Sequence, residues 1–337
     1  MARRERTTGL PRPRPRPVSS QERKIAGVAL NEHTTRIAIL GAAALLLVFV
    51  LGLLGWRWYD QNYRVPEKVV LQVGGEEFKL KYYADRLFPY AQSQSGSGVS
   101  LGLAEQALLG VLEDEALVRL IAQEKGITVT SQDITNEIAA QLGVPVGGSG
   151  SSFDTLYRQR LKSLTMSDTN YRRQVEAQVY RTRLIDAYKA EMGETGEMVT
   201  LRAISVATKE EADAVLERIK AGEDMGTVAQ TTSNDLTSRQ KDGVMDAEPP
   251  RLLPENVRTA IEGKEAGSEL FGPIEVANNF WVFRIEKRDP EATPSDTQKN
   301  QLAELMLEDD LKAKRASVSI RRDLSASDIK WAEQNAD

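Results

Sequence analysis

The longest apolar run in the chain lies between residues 37 and 56 and predicts a membrane-spanning helix. It reads IAILGAAALLLVFVLGLLGW and carries no charged side chain. An α-helix rises about 1.5 Å per residue, so this run covers roughly the 30 Å of a hydrocarbon core. A buried helix of a soluble protein is the alternative, but such a helix normally keeps a polar stripe.

After this run, the spacing of apolar positions predicts a mainly helical region. Two strands, 69–73 and 76–81, meet at Gly74-Gly75, a pair typical of a tight hairpin turn. Apolar residues then recur at helical spacing. The helices expected from this pattern cover residues 82–90, 101–125, 131–142, 153–164 and 167–192. The helix at 131 should be capped by Thr130 or Ser131, with Asp133 in its first turn.

From residue 199 the period changes and an α+β region is expected. The order β-α-α-α-β-β over about 90 residues suits a compact α+β domain. The expected strands are 199–206, 270–276 and 280–286, and the expected helices are 209–221, 225–230 and 254–261. Residues 231–250 are predicted as a polar loop and 288–296 as a linker. A helix over 297–314 and a short strand over 317–321 close the chain.

Charge predicts which side of the membrane each part occupies. Residues 1–36 have a net charge of +6, so the chain's total of −5 leaves −11 for the residues after the apolar run. The positive-inside rule places such an N-terminus in the cytoplasm and the larger part outside the cell membrane. Aromatic residues at the end of the run and just past it are typical of a membrane interface. They are Trp56, Trp58, Tyr59 and Tyr63.

A cleaved signal peptide is the alternative to a permanent anchor. Its apolar region would span roughly 7–15 residues and end at a small-residue cleavage site. The run here is longer and ends in Gly-Trp-Arg-Trp-Tyr, which favours an uncleaved, single-pass signal anchor. The leader also contains PRPRPRP at residues 11–17, which should be extended. This motif would either only fix the topology or bind anionic lipid, nucleic acid or a proline-recognising domain. No aromatic residues lie between the arginines to stack on bases, so no specific nucleic acid is expected.

Composition excludes several kinds of chemistry. The chain has no cysteine and one histidine, His33, which lies in the leader. Disulfides and thiol catalysis are therefore absent, and the region after the apolar run has no imidazole for a histidine-based zinc site or a Ser-His-Asp triad. We expect no metal and no cofactor.

Five segments of the α+β region resemble the parvulin family of peptidyl-prolyl isomerases. They are LRAISV (201–206), EEADAVLERIKAGEDM (210–225), SND (233–235), LLPENV (252–257) and FGPIEVANNFWVFRIEK (271–287). The region before them is similar to the N-terminal part of extracytoplasmic folding factors of the SurA, PrsA and PpiD type. The similar segments there are VVLQVGGEEFKLKYYADRL (69–87) and EKGITVTSQDI (124–134). A single span with a cytoplasmic N-terminus makes the PpiD type the most similar.

The resemblance implies a fold class and a domain organisation. The fold class is α+β, with a single N-terminal transmembrane helix, a mainly helical SurA-like chaperone domain and a parvulin-like α+β domain. The family also implies that a C-terminal segment returns to the chaperone domain. The expected boundaries are a cytoplasmic tail at 1–36, the transmembrane helix at 37–56, the chaperone domain at 65–196, the parvulin-like domain at 197–290 and the returning helix at 295–337.

The site that the resemblance implies is altered. Where the family carries histidines, this chain has Ala203 and Trp281, and where it carries a phenylalanine of the proline pocket, this chain has Asn256. Leu252 replaces the pocket methionine, and Asp235 is kept as the candidate catalytic residue. The expected peptide-binding residues are Leu252, Asn256, Phe280 and Trp281. Rotation about an X-Pro bond has a barrier of about 18–20 kcal/mol. Ala203 has no hydrogen-bonding side chain and Trp281 offers only a donor, so isomerase activity should be weak or lost.

These observations predict a membrane-anchored extracytoplasmic folding factor. Its partners would be unfolded or newly exported polypeptides and the membrane, with secretion machinery as a candidate neighbour. Two alternatives stay open, namely an active peptidyl-prolyl cis-trans isomerase and a non-enzymatic membrane scaffold.

Overall fold

The computed structural model of the chain describes residues 24–25, 28–29, 32–94 and 101–335. The PRPRPRP motif and most of the basic leader lie outside these residues. Two short paired strands, β1 (Lys24–Ile25) and β2 (Val28–Ala29), come first. Helix α1 (Glu32–Tyr59) follows and continues into a π-helical segment, Asp60–Arg64. Among the described residues, those up to Pro66 form one compact unit and those from Glu67 onward form another.

Helix α1 contains the whole predicted span and extends beyond both of its ends. Within the described part of the chain, residues 36–64 form a helix long and apolar enough to cross a membrane, and its most apolar 18-residue window has mean hydropathy 3.0 and is not buried. Near its end the ring of Tyr63 lies 5.5 Å from that of Trp58 and 5.6 Å from that of Tyr59. Signal sequences near an N-terminus can meet the same criteria of length and composition, so this helix supports membrane anchoring by those two properties alone.

The second unit begins with a hairpin and five helices. The elements are β3 (Val69–Val73), β4 (Glu76–Lys79), α2 (Leu80–Gln94), α3 (Leu101–Glu124), α4 (Ser131–Leu142), α5 (Ser152–Ser163) and α6 (Asp168–Met192). Gly74 has φ +58° in the hairpin turn, whereas Gly75 lies outside the left-handed region. Thr130 forms the expected capping box with Asp133. We call these elements, together with the C-terminal ones below, the helical part.

The next elements form what we call the α+β part. They are β5 (Gly196–Val206), α7 (Lys209–Lys220), α8 (Met225–Thr232), α9 (Leu236–Arg239), a 3-10 turn (Pro250–Leu252), α10 (Glu255–Ile261), β6 (Leu270–Val276) and β7 (Asn279–Ala292). The three strands are antiparallel in the order β5-β7-β6. Helices α7 and α8 pack on one sheet face through Val215 and Val228, and α10 packs on the other through Val257.

Two predicted loops are wrong. Residues 231–250 are not a plain loop, because they contain α9 and then run antiparallel to β5, with bridges at Val199–Glu248 and Arg202–Val244. Residues 288–296 are not a plain linker, because β7 continues to Ala292 and the next helix begins at Asp296. In residues 231–250 the pairing with β5 is made by backbone groups, while many of the side chains are polar. The segment therefore shows no alternation of apolar and polar residues that would predict a strand.

The C-terminal elements return to the helical part. They are α11 (Asp296–Ser317), β8 (Ile320–Arg322) and α12 (Ala326–Asn335). Strand β8 pairs with β3 to complete the sheet β4-β3-β8, α11 packs against α3 and α6, and α12 packs against α2. The core of this part includes Leu108 and Leu112 of α3, Leu184 of α6 and Leu307 of α11, all fully buried. Most predicted apolar stripes are therefore used in core packing.

Candidate functional site

The candidate site in the α+β part is a cavity of about 250 Å³ beside α9. Its lining residues are Asp235, Thr237, Ser238, Lys241, Val244, Met245, Asp246, Glu248 and Trp281. Two of the sequence-predicted site residues, Asp235 and Trp281, thus meet at one cavity. They are brought together because β7 carries Trp281 and the segment after α8 places Asp235 at the start of α9.

Asp235 is the N-cap of α9. Its carboxylate accepts hydrogen bonds from the Ser238 backbone N–H, at 3.0 Å, and from the Ser238 hydroxyl. Burial alone would raise the pKa of Asp235, but hydrogen bonds from Ser238 and the Thr237 backbone outweigh it, so the pKa lies below its ordinary value. A carboxylate held in its ionised form by local donors is a structural cap and a weak general acid.

Trp281 forms a half-buried wall of the cavity. Its ring stacks on that of Phe283, with centroids 5.7 Å apart and planes 3° from parallel. The indole N–H donates to the Val276 carbonyl oxygen at 3.3 Å. The one polar hydrogen of Trp281 is therefore already used by the protein, and the side chain offers a flat apolar surface.

Ala203 lies across from Phe283 in the β5–β7 register and is fully buried. Its methyl group belongs to the apolar cluster that also contains Val257 and Ile261 of α10. The two positions where the family is expected to carry histidine thus present a methyl group and an indole whose N–H is already hydrogen-bonded to Val276. Neither side chain has a free hydrogen-bonding group to orient a peptide bond.

The other three predicted peptide-binding residues do not line this cavity. Phe280 packs on the opposite sheet face, against the cluster under α7 and α8. Asn256 is exposed, and its side-chain amide donates to the Glu275 carbonyl oxygen. Leu252 is half-buried at the end of the 3-10 turn, where the next residue, Leu253, supplies the contact with the core. Adjacent strand residues point to opposite faces, which explains the separation of Phe280 from Trp281.

Several cavity residues were missed by the sequence reasoning. Lys241 pairs with Asp246 at 2.7 Å, and Glu248 is held by Gln298 of α11 at 2.9 Å. In the local sequence around this cavity, only the spacing of Asp235 and Ser238 indicates a structural feature, because it is typical of a helix N-cap. Among the described residues, no group of three or more histidine, aspartate or glutamate side chains is arranged to hold a metal ion.

A second cavity, of about 410 Å³, lies in the helical part between α2, α3 and α6. Its lining residues are Arg86, Tyr90, Val111, Asp114, Glu115, Val118, Gln174, Ala177, Gln178 and Arg181. Arg86 donates to both Glu115 carboxylate oxygens, at 2.8 and 3.1 Å. Burial raises the pKa of Asp114 against the opposing effect of Arg315. The lining therefore mixes apolar surface, side-chain amides and paired charges, which suits a peptide backbone better than a purely apolar ligand.

Comparisons with known proteins identify both regions. A family model of the SurA-like N-terminal domain matches residues 29–185, and a model of the PPIC-type PPIASE domain matches residues 184–298. The chain is 22% identical over 236 residues to a protein named periplasmic chaperone PpiD from Haemophilus ducreyi. That alignment covers 66% of this chain but only 37% of the relative's length.

Among solved structures, the chain is similar to the peptidylprolyl isomerase PrsA from Bacillus anthracis. The TM-score is 0.41 at 16% identity, covering 63% of this chain and 99% of that one. For PrsA from Bacillus cereus the TM-score is 0.39 at 14% identity, covering 71% and 88%.

Proposed function

The chain combines a SurA-like N-terminal domain with a PPIC-type domain of the parvulin family, and from this premise we propose that it is a membrane-anchored extracytoplasmic folding factor. It binds unfolded or newly exported polypeptides, and its isomerase activity is weak or lost. The relative from Haemophilus ducreyi carries the name of a periplasmic chaperone, which supports the proposal of an extracytoplasmic folding factor. The proposed domain boundaries are those predicted from the sequence, with the chaperone domain at 65–196 and the parvulin-like domain at 197–290.

The observation that carries the proposal of weak catalysis is the chemistry at Ala203, Trp281 and Asp235. An isomerase lowers its barrier only by binding the twisted amide more tightly than either planar form. Here one histidine position is a buried methyl group and the other is an indole whose N–H is bonded to Val276. The remaining carboxylate, on Asp235, is bonded to Ser238. The cavity therefore keeps an apolar wall for a peptide but lacks free groups that would favour the twisted amide.

The proposal of client binding is supported by the cavity in the helical part. A polypeptide backbone needs donors and acceptors as well as apolar contact, and this cavity offers both through Gln174, Gln178 and Tyr90. Large exposed apolar side chains are otherwise few in the part of the unit from Glu67 that the structure describes, namely Phe88, Leu103, Val146 and Leu236. A client would thus be held mainly through its backbone and through shallow apolar contacts, which suits a low-specificity chaperone.

One refolding experiment separates holding from catalysis. The full chain, reconstituted in lipid nanodiscs, is added in stoichiometric excess to a cysteine-free client whose refolding is limited by prolyl isomerisation, a step of tens to hundreds of seconds. We expect a higher yield of native client, because aggregation is suppressed, with a refolding rate within about twofold of the uncatalysed rate. Light scattering reports the yield, and the slow fluorescence phase of the client reports the rate.

Two variants and empty nanodiscs serve as controls. Gln178→Trp fills the helical cavity and should lower the yield, whereas Gln132→Trp, on exposed surface of α4, should not. Acceleration of the slow phase that is abolished by Asp235→Asn would identify an active isomerase instead. No gain in yield at any excess would favour the scaffold alternative.

A further inference from the structure

The first turn of α11 supports the wall of the cavity that contains Asp235 and Trp281. Gln298 Nε2 donates to the Ala247 carbonyl oxygen and to the Glu248 carboxylate, each at 2.9 Å. The Glu248 side chain lines the cavity, and its backbone exchanges two hydrogen bonds with Val199 of β5, at 2.8 and 2.9 Å. One amide of α11 therefore holds both the backbone and the side chain of this wall.

Gln298 is also tied to its own helix. Its Oε1 accepts from the Ser295 backbone N–H at 3.0 Å and from the Ser295 hydroxyl at 3.1 Å, which completes a capping box. Both ends of the amide are thus engaged, one in the helix cap and one in the cavity wall.

The same helix belongs to the core of the helical part. Farther along α11, Ala303, Leu307 and Leu311 are buried where the helix packs against α3 and α6. Tyr188 of α6 also donates to the Asp310 carboxylate at 2.5 Å. One helix thus has its first turn on the wall of the cavity and its later turns in the core of the helical part, so a single element contacts both regions.

We propose that Gln298 is a positioning residue that couples the peptide cavity of the α+β part to the helical part. This inference rests on the proposed peptide binding at that cavity. A peptide that contacts the wall stabilises the docked first turn of α11, and the docked turn in return strengthens peptide binding, because coupling between two binding events is reciprocal.

The substitution Gln298→Glu tests the contact selectively. Glutamate keeps the acceptor that the capping box needs, and it is a favoured residue at this position of a helix. It loses the Nε2 donor and places a carboxylate against that of Glu248. The pair Gln298→Glu with Glu248→Gln restores a donor on the opposite side of the same contact. Gln301→Glu, on exposed surface of the same helix, is the matched control for added charge.

Hydrogen exchange on the full chain in nanodiscs, with and without a proline-containing peptide, is the measurement. We expect Gln298→Glu to speed exchange of the Glu248 backbone amide about tenfold. The reason is that the segment carrying this amide loses the hydrogen bond from Gln298 Nε2 to the charged Glu248 carboxylate. The paired variant should return to within about twofold of the unaltered chain. In the unaltered chain and in Gln301→Glu, bound peptide should slow exchange in the first turn of α11. In Gln298→Glu, bound peptide should not slow exchange in this turn.

Three results would overturn the coupling. The first is unchanged exchange of the Glu248 amide in Gln298→Glu. The second is a paired variant whose Glu248 amide exchanges as fast as in Gln298→Glu. The third is equal protection of α11 by bound peptide in the unaltered chain and in Gln298→Glu. The last readout distinguishes coupling from a merely structural role, because a structural contact would not make protection of α11 depend on peptide. Absence of peptide binding to the unaltered chain would contradict the proposed function and the coupling together, whereas retained binding without the exchange differences would overturn the coupling alone.

Discussion

Gly243 lies where the segment after α9 turns back along β5, and it shows how closely the cavity wall approaches the sheet. Its φ is +82°, its N–H donates to the Ser238 carbonyl oxygen and its own carbonyl oxygen accepts from the Ala203 N–H, each at 2.8 Å. A Cβ added at this position would lie 2.8 Å from the Ala229 Cβ and 2.9 Å from the Ala203 carbonyl oxygen. Both the backbone angle and the space therefore require glycine.

The substitution Gly243→Ala should lower the free energy of unfolding by about 1–3 kcal/mol, because a left-handed backbone and a close backbone contact are both strained. Urea unfolding of the full chain, followed by circular dichroism, measures this loss. Gly267→Ala is the control, since Gly267 has open space and lies outside the left-handed region. It should change stability by less than about 1 kcal/mol. Equal effects of the two substitutions would show that the 241–248 segment is not held tightly on β5.

At this scale the sequence predicted part of the site. The resemblance named Asp235 and Trp281, which the structure brings to one cavity, although Asp235 is the N-cap of α9 there. It did not predict Lys241 or Glu248, because their place depends on an irregular segment pairing with β5. Long-range backbone pairing of polar residues leaves no hydrophobic period to detect.

Among the helices and strands, the C-terminal elements are joined to the helical part by a buried charge. Glu113 of α3 is 1% exposed. Its carboxylate accepts from Arg315 Nε of α11 at 2.6 Å and from Arg322 Nε of β8 at 3.0 Å. A carboxylate removed from water needs such partners, because its desolvation costs several kcal/mol. Glu113 therefore favours the simultaneous docking of α11 and β8.

Removing both arginines should cost more than the sum of the single losses. Arg315→Ala or Arg322→Ala alone leaves Glu113 one partner, and each arginine is partly exposed, so each loss should be about 1 kcal/mol. The double variant leaves a buried carboxylate unpaired and should lose about 3 kcal/mol. Urea unfolding in a double-mutant cycle measures the difference.

Arg321→Ala is the matched control for this cycle. Arg321 neighbours Arg322 in β8, but its side chain is 71% exposed and faces Asp323 at 3.6 Å. Its loss should stay within about 0.5 kcal/mol. Strict additivity of the Arg315 and Arg322 effects would mean that Glu113 does not link the two elements.

The elements themselves were largely predictable, because amphipathic periods and caps are local. Helices α4, α6 and α7 lie within a residue or two of their predicted bounds, and Thr130 caps α4 as expected. The pairing of β8 with β3 was not predictable from residues 317–321 alone. Three residues of alternation carry no information about a partner strand more than 240 positions earlier in the chain.

On the scale of the whole molecule, the proposed membrane anchoring rests on the apolar helix α1 and on the charge to either side of its apolar run. The side chains of α1 are exposed along its apolar face, with Leu40 at 69% and Phe49 at 66%. Such a surface is unfavourable in water, which supports the proposed membrane anchoring. The charge of +6 over residues 1–36 and −11 over residues 57–337 supports the proposed placement of the larger part outside the cell membrane.

The measurement that tests this central claim most directly is the sidedness of the two ends. Since the chain has no cysteine, single substitutions provide unique labels: Ser19→Cys in the leader and Glu210→Cys on exposed surface of α7. In cells stripped to an intact cytoplasmic membrane, a membrane-impermeant maleimide should react with the label at 210 and should reach the label at 19 only after lysis. Labelling at 19 in intact cells, with 210 protected until lysis, would contradict the account.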